Sequence, residues 1–325
     1  MIPDNYRKNF DNTYTSDDFG RMSRYCFKKK TVEKLGLEYK EGRGYKVIVD
    51  NIGDIVEKAI IREIFAYEGV GPKIYKLGKF TGYDCLEIEH IEGDKYASFN
   101  PYTKEKIRKV LRKYPFILPY EVDLGVAENY IGDKYIDFHG FQLNKPKFKE
   151  WLYEEINQRT HWGHLNDNNE RFSYQSCELV GKRDVEYRIE KMKLGEINWR
   201  NQKILDVGCN LGMFMHYIID EGGSCIGYDT KPIMNIANIY RFWAKPYADI
   251  EFRLPDKDEF DIQLHLAMVH TFGYPKAIAP LTIFEGHNLQ EKGKVREELE
   301  KNFSKVEFIS YTKDRGIRPV FWCWR

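Results

Sequence analysis

Asp206, Gly208, Gly212 and Asp229 are the residues of this 325-residue chain whose types and spacing point most directly to chemistry. They lie in KILDVGCNLGMFMHYIIDEGGSCIGYD, where an apolar strand turns through GCNLG into a helix. A second strand, SCIGYD, then ends in Asp229, 23 residues after Asp206. Glycine at 208 and 212 lets the backbone come close to a ligand with no Cβ in the way. The same turn aims free helix N–H groups toward that ligand. An acidic residue ending the second strand can accept both hydroxyls of a ribose, with Thr230 beside it. Three further candidates follow later strand-like segments: His270 after FDIQLHLAMV, and Glu285 and His287 in PLTIFEGHN. Imidazole and carboxylate are the groups that take a proton from a hydroxyl, so each is a candidate base or acceptor ligand. Arg318 offers a planar fork for an anionic acceptor.

These residues need a scaffold that brings strand ends together. From Lys203 onward strands and helices alternate, as a parallel sheet requires. The expected fold is therefore α/β, a Rossmann-like sheet, over residues 201–325. Residues 145–200 read as a connecting helix (KPKFKEWLYEEINQRT) followed by a polar segment that covers the site. Residues 25–144 read as a smaller α+β domain. GYKVIVD alternates as a strand, DIVEKAIIREIFAY has helical spacing, and IYKLGKF and YDCLEIEHI are two strands joined at Thr81-Gly82. A helix is expected from about Thr103 to Lys113, and AENYI-GD-KYIDF reads as a hairpin. Residues 1–24 read as a flexible N-terminal segment.

The spacing DxGxxxG discriminates between cofactors. Nicotinamide sites use GxGxxG, and an acid at the end of the first strand would repel a pyrophosphate. It suits the cationic amino-acid end of S-adenosylmethionine. The motif resembles the first motif of the class I S-adenosylmethionine-dependent methyltransferases. FDIQLHLAMVHTFG is similar to their fourth-strand motif, which includes Ala267, and PLTIFEGHN to their fifth strand. KVEFISYTKDRGIRPVFWCWR is similar to the terminal antiparallel hairpin of their sheet. The resemblance implies S-adenosylmethionine as cofactor, with Asp206, Gly208, Cys209, Asn210, Gly212, Asp229, Thr230 and Ala267 around it. It also implies an arginine before the first strand that meets the cofactor carboxylate. Arg188 is the best match and Arg183 the second. Asp256, in the short RLPDKDEFD linker, is the nearest match to an adenine-contacting acid.

Residues 25–140 resemble the small lobe and catalytic loop of the protein-kinase and aminoglycoside-phosphotransferase superfamily, in degenerate form. That resemblance implies a nucleotide site at Lys46, Glu63, Asp123, Asn129 and Asp137. The departures are a missing glycine-rich phosphate loop and only eight residues from Asn129 to Asp137. Phosphotransfer is therefore not expected from this half.

Composition narrows the function classes. With 51 basic and 50 acidic residues the formal charge is +1, which provides no broad field for nucleic acid or an anionic membrane. No apolar run approaches the ~18 residues of a membrane span, and the polar N-terminus lacks the apolar core of a signal peptide. The six cysteines form no CxxC pair, so neither zinc nor a disulfide framework is read from them. A reduced, cytoplasmic protein fits. His161 and His164 of HWGH have no matching ligand set, so no metal is expected. The leading reading is a methyltransferase acting on a hydroxyl of a sugar, glycan or phosphorylated small molecule. A bifunctional kinase–methyltransferase, an RNA methyltransferase and a non-catalytic cofactor-binding scaffold stay open at this point.

Overall fold

The computed structural model describes residues 23–48, 54–91, 101–119, 130–131, 134–135, 138, 140–159, 164–165, 171–172, 185–256, 259–288, 290–313 and 316–325. It divides into two compact units, Met1–Trp151 and Leu152–Arg325. Asp123, Asn129, Asp137, His161, Arg183 and nearly all of the N-terminal segment lie outside the described residues.

The first unit runs β1 (Ser23–Cys26), α1 (Lys29–Lys34), β2 (Arg43–Ile48), α2 (Ile55–Tyr67), β3 (Ile74–Phe80), β4 (Tyr83–Glu89), α3 (Pro101–Lys113), β5 (Ile117–Pro119), β6 (Tyr130–Ile131), β7 (Lys134–Tyr135) and β8 (Phe141–Leu143). The main sheet has the order β1-β2-β4-β3, all antiparallel, so α2 connects two strands that are not neighbours. Asp54 caps α2, accepting from the Val56 N–H at 3.0 Å and the Glu57 N–H at 3.4 Å. The helix buries Ala59, Ile60, Ile61, Ile64 and Phe65. Each such large side chain contributes roughly 1.5–3 kcal/mol when fully buried. Phe65 meets Phe138 and Phe141 with ring centroids 5.1 and 5.2 Å apart. The β3–β4 turn has φ of 47° at Thr81 and 88° at Gly82, the two left-handed positions of a tight hairpin turn.

The division between the units falls inside α4 (Lys145–Arg159). The second unit contains β9 (His164–Leu165), β10 (Arg171–Phe172), α5 (Val185–Lys191), β11 (Lys203–Val207), α6 (Met213–Asp220), β12 (Ser224–Tyr228), α7 (Lys231–Ala244) and β13 (Ile250–Phe252). It continues with β14 (Ile262–Leu266), α8 (Val269–Phe272), β15 (Leu281–Glu285), α9 (Lys292–Glu300), β16 (Lys305–Lys313) and β17 (Ile317–Trp324). Its seven-stranded sheet has the order β13-β12-β11-β14-β15-β17-β16. The first five strands are parallel, and β17 lies antiparallel between β15 and β16. This is a Rossmann-like sheet with a terminal antiparallel hairpin. The strand order reverses at β11, which leaves a crevice at the carboxyl ends of β11 and β14, the usual ligand position in open α/β sheets.

Buried Ile204, Leu205, Leu264, Ile283 and Phe284 form the middle of the sheet, and α9 covers one side through Val295 and Leu299. Cys26, Cys85, Cys209, Cys225 and Cys323 are buried free thiols. Among the described residues no helix is long and apolar enough to cross a membrane.

Candidate functional site

The β11–α6 turn is built from backbone that ordinary side chains avoid. Gly208, Asn210 and Gly212 have φ of 76°, 52° and 81°, and two of these left-handed positions are glycines for that reason. A Cβ on Gly208 would overlap the Met268 side chain, whose Sδ lies 2.7 Å from that point. A Cβ on Gly212 would fall 2.9 Å from Phe252 Cζ. The glycines are thus required by tight packing as well as by conformation.

Asp229 fixes the same turn from the next strand. One carboxylate oxygen accepts the Asn210 N–H at 2.9 Å and the other accepts the Thr230 N–H at 2.6 Å. Two N–H bonds leave lone pairs on both oxygens for further donors. Burial raises its pKa, and the two N–H bonds offset part of that rise. Asp206, at the end of β11, is buried too. Desolvation and then the nearby Asp229 charge push its pKa up to about 7, while Arg188 pulls the other way. A buried carboxyl poised in this range is suited to a cationic neighbour.

Arg188 comes from α5 and is 2% exposed. Its guanidinium lies over the Phe214 ring, 4.7 Å from the centroid. It grips Glu285 with two nitrogens, Nη2 to Oε2 at 2.6 Å and Nε to Oε1 at 3.3 Å. The third nitrogen, Nη1, is buried and makes no hydrogen bond among the described residues.

Glu285 ends β15, as expected, but it is fully buried inside an ion cluster. Besides Arg188 it accepts the Thr312 hydroxyl at 2.5 Å, and Arg318 Nη1 lies 3.6 Å from Oε2. Burial alone would raise its pKa. Arg188, then Arg318 and Thr312, outweigh burial and hold it below the usual carboxylate range. The residue read as a candidate base therefore sits where its proton affinity is low, which suits an ion-pair anchor and not a proton acceptor.

His270 and His287 do come together. His270 is exposed on α8 and His287 half-buried after β15, and their rings meet edge-on with centroids 4.8 Å apart. Among the described residues no third His, Cys, Asp or Glu joins them in a metal-ligating group. Ala267, at φ 62°, turns the chain from β14 toward α8 and donates its N–H to the Glu285 carbonyl at 2.8 Å. His265, absent from the sequence reading, braces α8. It bonds the Gly273 carbonyl at 2.9 Å and stacks on Phe284 at 5.9 Å. Burial lowers its pKa to about 4, against the opposing Gly273 bond, so it stays neutral.

Met268, Thr312 and Asn288 were likewise missed. Thr312 stands opposite Arg318 in the β16–β17 register, which sequence spacing alone does not fix. Asp256 is exposed in the loop after β13. In the first unit, Lys46 lies on β2 and Glu63 is buried on α2, where Glu63 accepts the Ile74 N–H at 3.2 Å.

No family model matches the chain, and no curated protein matches its sequence. Among solved structures it is similar to magnesium protoporphyrin IX methyltransferase from Synechocystis PCC 6803 with bound SAM, at 12% identity and a TM-score of 0.37. That match covers 55% of this chain and 96% of the other. It is also similar to the bifunctional kinase-methyltransferase WbdD, at 18% identity and a TM-score of 0.36. There it covers 52% of this chain and 42% of the other, so it matches less than half of that protein's length.

Proposed function

We propose that the second unit binds S-adenosylmethionine and transfers its methyl group to a hydroxyl of a compact polar acceptor: a sugar, a glycan or a phosphorylated small molecule. The observation that carries this reading is the Asp229-braced glycine turn at the switch point of the sheet, with the buried, unbonded Arg188 Nη1 beside it. The donor set fits the cofactor end to end. Asp229 accepts the ribose hydroxyls on its remaining lone pairs. The backbone of Gly208, Cys209, Asn210, Gly212, Thr230 and Ala267 lines the crevice. Asp206 faces the ammonium group, and Arg188 Nη1 bonds the carboxylate. The bound cofactor would supply a methyl group already activated on a sulfonium.

The protein's remaining task is to position the acceptor and accept its proton. His270 and His287, at the carboxyl ends of β14 and β15, take that task, one receiving the proton and the other orienting it. Glu285 is left out of proton transfer, because its carboxylate is already committed to Arg188, Arg318 and Thr312.

The test is transfer of labelled methyl from S-adenosylmethionine to pools of glycans, small metabolites and total RNA. Label is expected in the first two pools, and label confined to RNA would overturn the acceptor class. His270→Ala and His287→Ala should each lower turnover by about 10²-fold or more, with cofactor affinity within about threefold, because a base acts on the acceptor.

For the first unit we propose a kinase-like fold without phosphotransfer. Its support is the placement of α2 between β2 and β3, with Lys46 on β2 and Glu63 on α2.

A further inference from the structure

A chain of polar contacts in the second unit runs from Arg188, in the proposed cofactor site, to Asn288, the neighbour of His287. Arg188 holds Glu285 through Nε and Nη2. Glu285 lies 3.6 Å from Arg318 Nη1. Arg318 donates its Nε–H to the side-chain oxygen of Asn288, and Asn288 is the residue after His287. Both guanidinium groups and the carboxylate are nearly inaccessible to solvent, at 3%, 3% and 1% side-chain exposure. Two buried cations therefore meet at the Glu285 carboxylate, in surroundings where charge pairs interact more strongly than in water.

We infer that Glu285, Arg318 and Asn288 are positioning residues that couple occupation of the carboxylate subsite at Arg188 to the placement of His287 against His270. This inference rests on the cofactor reading above. A carboxylate arriving at Arg188 Nη1 competes with Glu285 for the same guanidinium. As Arg188 turns to the newcomer, Glu285 is released in part toward Arg318. Arg318 then moves with its second partner, Asn288.

The loop carrying His287 has little slack to absorb such a shift. The Gly286 N–H bonds the Pro319 carbonyl at 2.8 Å, and the His287 N–H bonds Gln290 Oε1 at 2.6 Å. A Cβ on Gly316 would lie 3.1 Å from Asn288 Cβ, so the hairpin turn passes close beside Asn288. A displaced Asn288 is therefore transmitted to the neighbouring imidazole. The device prepares the proton acceptor only once the methyl donor's amino-acid end is in place.

The experiment follows the ring Cε1–H resonances of His270 and His287, assigned with His270→Gln and His287→Gln, in the full-length protein. The two probes are S-adenosylhomocysteine and methylthioadenosine, which share the adenosine but differ in the amino-acid end. S-adenosylhomocysteine is expected to shift both resonances. Methylthioadenosine at saturation should leave them near their free positions. In Asn288→Ala the response to S-adenosylhomocysteine should fall at least threefold. Asn288→Asp keeps an acceptor for Arg318 and should restore it. Equal shifts with both probes, or a full response in Asn288→Ala, would overturn the coupling while leaving the cofactor reading intact. No saturable binding of S-adenosylhomocysteine at all would overturn both. If Asn288→Ala fails to fold, Arg318→Lys serves in its place, with the same loss of response expected.

Discussion

Three buried carboxylates in one site are given different tasks by their neighbours. At Asp229 two backbone N–H bonds offset part of the rise in pKa that burial causes, at Glu285 two arginines and Thr312 outweigh burial, and at Asp206 burial and the Asp229 charge, against Arg188, push the pKa up to about 7. Asp229→Ala should therefore weaken S-adenosylmethionine by on the order of 1.5–3 kcal/mol, through lost charge-assisted hydrogen bonds. It also leaves the Asn210 N–H buried without its acceptor, so titration calorimetry should find the affinity loss together with a lower melting temperature. Unchanged affinity would place the ribose elsewhere. Asp206 makes the site sensitive to pH. Its folded pKa of about 7 lies above the ordinary value of 3.8, so the folded state binds more protons between the two. By linkage this group's contribution to stability falls as pH rises from about 4 to about 7 and is flat above. A cationic ligand has the opposite sign, because it favours the ionised carboxylate. Cofactor affinity should thus rise with pH up to about 7, with proton uptake by the buffer in calorimetry at about pH 6 and much less at about pH 8. Asp206→Asn should remove that proton signal.

The β11–α6 turn is the element on which these residues depend. Its left-handed glycines are pressed from two sides, Gly208 by Met268 from the end of β14 and Gly212 by Phe252 from β13. Gly212→Ala should destabilise by about 1–3 kcal/mol, from the left-handed backbone and from overpacking against Phe252. Chemical denaturation is the direct measurement, and wild-type stability would mean that the turn relaxes freely. The turn was legible in the sequence because glycine spacing and strand–helix alternation are local properties. The hairpin was legible as a hairpin, but its register was not. A β-bulge between Phe308 and Ser310 shifts the pairing of Lys305–Phe308 with β17, whereas Thr312 pairs with Arg318 on the turn side of the bulge.

At the scale of the molecule, the two units should respond separately to ligands. S-adenosylhomocysteine at a hundredfold excess over its dissociation constant should add about 2.7 kcal/mol to the unit that binds it. A calorimetric scan should show the shift in one transition, and ATP should undergo no turnover. ATP hydrolysis abolished by Lys46→Ala but untouched by Asp229→Ala would promote the bifunctional reading. What the sequence determined by itself is the strand–turn–helix that carries Asp206, Gly208 and Gly212, with Asp229 one strand later. Hydrophobic periodicity and glycine conformation act over a few residues, so they can be read without a fold. Only the tertiary structure decided that Arg188 reaches Glu285 across 97 residues. It likewise brought the two histidines into contact and turned Glu285 from a candidate base into an ion-pair anchor. The last of these depends on the β16–β17 hairpin, with β17 antiparallel beside β15, which carries Arg318 and Thr312 onto a carboxylate that sequence spacing leaves free. Burial then sets the charges, because desolvation and pairing act through space and not along the chain.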